Sequence, residues 1–142
     1  MNTVCLRLII VLSSIAPLVA CQRAQPDAKA PLIDWQTSPL DLDLRGMIGK
    51  SYLFRCPSGK PAPAALTGSG VYTDASSICT AAAHAGAIDA QHGGMVKIQI
   101  LPGQPGYHGS MQNFVRSSDY AHPWSGSFAV LPASKNDASA LR

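Results

Sequence analysis

The stretch VYTDASSICTAAAHAGAI, residues 71–88, sets one thiol, Cys79, and one imidazole, His84, into a run of otherwise small or unreactive side chains. An imidazole can shuttle protons near neutral pH or ligate a metal, and it can equally serve as a structural hydrogen-bonding group beneath a loop. The other histidines, His92, His108 and His122, are spread among loop segments. No His-x3-His pair or His/Cys cluster has the spacing of a metal site, so the sequence calls for no metal and no cofactor. Ser110, His108 and Asp119 supply the residue types of a nucleophile, a base and an orienting group, but spacing alone does not align such a trio. Gly-x-Ser-x-Gly and a phosphate loop are missing, GSGVYT lacks the third glycine of a dinucleotide fingerprint, and the chain holds no glutamate. The expectation is a protein that is not an enzyme. The run Tyr107-His108-Gly109-Ser110-Met111-Gln112-Asn113 differs in kind, with an aromatic ring, several hydrogen-bonding side chains and a glycine in one loop. That composition suits a polar ligand or a protein partner, and Tyr107, His108, Ser110 and Asn113 are its candidate binding residues. The competing reading is that the Tyr and Asn hold the loop backbone together.

Cysteine placement sets the compartment. Arg7 is the only charge ahead of the apolar run 8–20, which has the length of a signal-peptide core and falls short of the roughly 20 apolar residues of a bilayer span. The run ends in Leu18-Val19-Ala20-Cys21, which resembles the cleavage box of bacterial lipoproteins. That resemblance implies a signal peptide over 1–20 and a Cys21 that carries diacylglyceryl and palmitoyl chains. Gln22 in the next position, in place of Asp, favours the outer membrane. Cleavage leaves 122 of 142 residues, enough for one domain, with 10 basic residues against 8 aspartates. This weak, scattered positive charge gives no ground for nucleic-acid binding. Once Cys5 leaves with the signal and Cys21 takes lipid, Cys56 and Cys79 remain, and in an oxidising compartment they most simply pair with each other.

The elements that must position these residues are few. Residues 21–34 mix Pro, Ala and isolated charges and are expected to form a lipid-anchored tether, with the domain spanning 35–132 and a disordered tail over 133–142. KSYLFRC alternates and predicts a strand ending at Cys56-Pro57, with Tyr52 and Phe54 on one side. PSGKPAPAALTGSG reads as loop. MVKIQILPG puts Val96, Ile98 and Ile100 on one face before a Pro-Gly stop, and SFAVL supplies a last strand. Between them, Asp74 as N-cap and Gly86 as left-handed C-terminal residue frame a helix of about three turns. Its apolar arc holds Ala75, Ile78, Cys79, Ala82, Ala83, Ala85 and Gly86, and Ser76, Ser77, Thr80, Ala81 and His84 fall on the other side. A face of such small side chains suits close approach by large residues of a neighbouring sheet.

VYTDASSICTAAAHAGAI, followed by GGMVKIQILPGQPGYHGS, NFVRSSDY and WSGSF, resembles the LCCL domain over roughly residues 50–131. The resemblance implies an α+β fold in which one central α-helix is wrapped by antiparallel β-sheet. It also implies a disulfide between Cys79 and Cys56, and a His84 kept in the helix without a known reaction. Animal members usually carry two bridges, whereas this domain has cysteines for one. The usual Asn-Gly-Val is here Asn113-Phe114-Val115, with Phe where Gly would allow positive φ. The expected function is that of a membrane-anchored envelope lipoprotein with a non-catalytic binding module, held to the bilayer through Cys21 and facing the periplasm or the cell surface. By analogy with the family its partner is an envelope glycan or lipopolysaccharide. The alternatives are a structural or envelope-protein-binding lipoprotein, or an unrecognised hydrolase.

Overall fold

A computed structural model describes residues 30–59 and 64–132. The expected signal peptide 1–20, Cys21, the tether up to residue 29 and the tail 133–142 lie outside the described residues. The described residues form mostly antiparallel sheet with one short helix. Its strands are β1 (Ser51–Cys56), β2 (Gly68–Ser69), β3 (Val71–Thr73), β4 (Gly94–Pro102), β5 (Met111–Gln112), β6 (Val115–Arg116) and β7 (Gly126–Leu131), and the helix is α1 (Ile78–His84). The main sheet has five strands in the order β1-β4-β7-β3-β2, and β5-β6 is a separate hairpin.

The alternation in β4 explains the sheet's central position. Val96, Ile98 and Ile100 are buried on one face, in register with Phe54 and Tyr52 on β1 and with Val130 and Phe128 on β7. Tyr72 of β3 extends that face through its pairing with Phe128. Against it lies α1, and Cys79, Ala82 and Ala83 let the helix sit close. The Cys56–Cys79 disulfide joins the end of β1 to the helix across a Cα separation of 5.7 Å.

Several expectations change. The N-cap is Ser77, which accepts a hydrogen bond from the Thr80 N–H at 3.0 Å, and α1 is seven residues long instead of about three turns. Asp74 is drawn elsewhere: the Arg45 guanidinium and the Trp124 indole N–H both donate to its carboxylate. Ser77 also donates to the Trp35 carbonyl, so the cap doubles as a tertiary anchor. The polar arc does not face water, since Thr80, Ala81 and His84 are buried with the rest. Residues 68–73, which span the end of the expected loop and the stretch ahead of the expected helix, form the β2-β3 ribbon. Pairing begins ahead of Trp35: Ile33 N–H donates to the Arg55 carbonyl, and Arg55 N–H to Pro31. Residues 31–33, assigned to the tether, therefore line the outer edge of β1.

Candidate functional site

The candidate site is assembled where α1 ends. His84, fully buried in the last turn, has its Nδ1 2.9 Å from the Tyr72 hydroxyl and its Nε2 3.2 Å from Ser110 Oγ. Ser110 Oγ continues to Ser69 Oγ at 2.9 Å, and the Gln112 side-chain amide donates to Ser69. One carbonyl is then recruited from outside the helix, as the Asn113 side-chain amide donates to His84 O at 2.9 Å. Gly86 permits this approach: its φ is +76°, and a Cβ there would press on the Asn113 amide. The β5-β6 hairpin is thereby pinned to the helix terminus by side chains from both of its ends.

What the clamp presents is Phe114. Asn113 and Phe114 connect Gln112 to Val115 with φ of +48° and +61°, the left-handed pair that a tight two-residue hairpin turn requires. For a bulky residue such a φ is a genuine outlier, and the ring is completely exposed. Beside it runs a groove of about 680 Å³, with Ala83, Ala87, Ile88 and Val115 among its apolar walls. Asp89, Gln91 and Asn113 supply its polar rim. Hydrogen bonds from the Gln91 N–H and from His92 hold the Asp89 carboxyl below its ordinary value, so the rim carries a negative charge at neutral pH.

The four loop residues proposed from sequence are not brought to one open face. Tyr107 is buried, and its hydroxyl hydrogen-bonds Ser127. Ser110 serves the His84 network, and Asn113 serves the clamp while lining the groove. His108 alone is fully open, 3.9 Å from Asp119. Ser110 meets His84 and not His108, so the trio drawn with His108 and Asp119 does not form. A Tyr72–His84–Ser110 relay exists instead, but its third member is a neutral phenol whose ionisation burial disfavours. It gives an imidazolium no carboxylate to offset its charge. No group of three His, Cys, Asp or Glu among the described residues could hold a metal. Phe114 was missed as a site residue because its one signal, Phe in place of Gly, was read only as a change in the loop.

Comparison with known proteins places this geometry. The sequence model of the LCCL domain matches residues 33–128. Vitrin of Mus musculus is 36% identical over 91 residues, 63% of this chain and 14% of Vitrin. Cochlin of Cavia porcellus is 41% identical over 76 residues, 53% of this chain and 14% of Cochlin. Cysteine-rich secretory protein LCCL domain-containing 1 of Homo sapiens is 38% identical over 80 residues, 54% of this chain and 16% of that protein. The matched segment thus spans about one-seventh of the length of these relatives.

Proposed function

This chain belongs to the LCCL domain family, and from that premise we propose that it is a lipid-anchored binding module of the cell envelope whose Phe114 groove holds an envelope glycan. The observation that carries the reading is Phe114, a large ring held in water on a left-handed backbone. Backbone strain of this kind costs about 1–3 kcal/mol and persists where the surroundings impose it, characteristically at ligand-contacting positions. An apolar floor with a hydrogen-bonding rim matches a sugar ring, which has C–H faces and a girdle of hydroxyls. The ionised Asp89 favours a neutral stretch of glycan over a phosphorylated one. The Leu18-Val19-Ala20-Cys21 string supports the lipid anchor, and the Cys56–Cys79 bridge accords with an oxidising compartment.

A second reading, docking of an envelope protein, draws on the same ring together with Met111, which is also well exposed on the hairpin. Exposed aromatic anchors of this type dominate protein interfaces. The experiment is a titration of the full chain against peptidoglycan fragments, lipopolysaccharide and fractionated envelope protein, with Phe114→Gly alongside. Binding to peptidoglycan fragments that falls about tenfold or more in the variant, about 1.4 kcal/mol, supports the first reading. Saturable binding confined to one purified protein transfers the site to the second. Equal binding of every partner by wild type and variant removes the groove from the function.

A further inference from the structure

A second feature lies away from the groove, in the loop 117–126. Tyr120 and Trp124 stand nearly perpendicular, at 89°, with ring centroids 5.9 Å apart. The two rings line a notch of about 110 Å³ that is completed by Thr67, Thr73 and Ala75. Both residues are held by contacts outside the notch, and the Tyr120 ring also packs against the His122 ring with centroids 5.6 Å apart. Tyr120 exchanges backbone hydrogen bonds with Tyr107, and Trp124 N–H donates to the Gln104 carbonyl. The Trp124 indole N–H donates to the buried Asp74 carboxylate at 2.7 Å, and the Arg45 guanidinium lies 5.6 Å from the ring centre. The small side chain of Ala75 leaves the floor open. Among the described residues, the side-chain hydroxyls of Thr67 and Tyr120 have no hydrogen-bond partner.

We propose that the Tyr120–Trp124 corner is a sugar subsite that takes one neutral pyranose ring, a proposal that rests on the reading of the ligand as a glycan. The negative face of one aromatic ring attracts the polarised C–H groups on one side of a pyranose, and the perpendicular ring closes on its edge. The free hydroxyls of Thr67 and Tyr120 then meet the sugar's equatorial hydroxyls. No charged side chain lines the notch. The nearby cation, Arg45, is engaged twice by Asp74, so nothing here selects an anionic group. Because Trp124 and Tyr120 are positioned before any ligand arrives, little conformational freedom is lost on binding.

The test follows the two indole N–H resonances of the full chain, Trp124 and Trp35, during titration with chitotetraose and with maltotetraose, both neutral. Trp35 is buried in the main core and serves as the internal reference. A saturable shift of the Trp124 signal with at least one sugar, an unmoved Trp35 signal and about tenfold weaker binding in Tyr120→Ala are expected. Tyr120→Phe, which keeps the ring and loses one hydroxyl contact, should weaken binding by less than Tyr120→Ala does. A Trp124 signal unmoved by both sugars, or Tyr120→Ala titrating like wild type, overturns the proposal. The Phe114→Gly variant separates the two sites. Sugar binding lost there and kept in Tyr120→Ala leaves the groove standing and removes the corner. The reverse pattern keeps the corner and removes the groove.

Discussion

Phe114 and Asp74 show two opposite uses of a single side chain. Phe114 adopts φ of +61° and buries none of its ring, so glycine in its place relieves about 1–3 kcal/mol of backbone strain and loses about 0.5–1 kcal/mol through added freedom of the unfolded chain. Phe114→Gly is expected to raise the urea midpoint, through a gain of roughly 1 kcal/mol in unfolding free energy, even as it removes the ring from the groove. A lowered midpoint would mean that the ring holds the hairpin in place. Asp74, by contrast, is 1% exposed and surrounded by donors. Burial pushes its pKa up, but the Arg45 and Trp124 hydrogen bonds outweigh burial and hold the carboxyl below 3.8. A depressed folded pKa gives stability that is complete above the unfolded value and disappears as pH falls through the folded one. Asp74→Asn should therefore cost about 2–3 kcal/mol at neutral pH, with the gap to wild type closing only below pH 3.8. Denaturant unfolding at several pH values checks this, and a gap that narrows near pH 6 would contradict it.

At the scale of elements, β1 and β4 were legible because their alternation marks one face, and β7 because SFAVL is a short apolar run rich in strand formers. The β2-β3 ribbon was not, since Val71–Thr73 is too short to show a period and abuts a run of helix formers. The helix start was misread for a different reason. Asp74, Ser76 and Ser77 all have cap chemistry, and the choice among them is made by Arg45, Trp124 and the Trp35 carbonyl, none of which is local. Tyr107 looked like a ligand contact for the same reason, because its hydroxyl partner, Ser127, lies 20 residues further along the chain. The bridge from β1 to α1 closes a loop of 23 residues, for which loop-closure reasoning gives roughly 3 kcal/mol. A Cys56→Ala/Cys79→Ala variant should lower the unfolding free energy by about that amount. A change below about 1 kcal/mol would show that sheet packing alone fixes the helix.

For the whole molecule, the proposed anchor makes Cys21 the first residue of the mature chain. Intact mass of membrane-extracted protein should begin there and include a diacylglyceryl adduct, and an unmodified chain starting elsewhere would remove the anchor from the reading. An anchored module displayed in many copies on one membrane would bind a repeating polymer by avidity even if each site is weak. The segment 31–33 gives such an arrangement a mechanical character. A pull on the chain ahead of residue 30 enters the domain at the two hydrogen bonds between residues 31–33 and Arg55, where Leu32 forms a parallel bridge to β1. One residue beyond Arg55, the covalent link at Cys56 passes the load to the buried helix. In the proposed anchored arrangement that end is a short releasable joint backed by a bolt: while the two hydrogen bonds hold, tension from the membrane passes through Arg55 and the neighbouring sulfur link into the buried helix, and once they break residues 31–33 peel away and the load moves on to the chain ahead of Ser51.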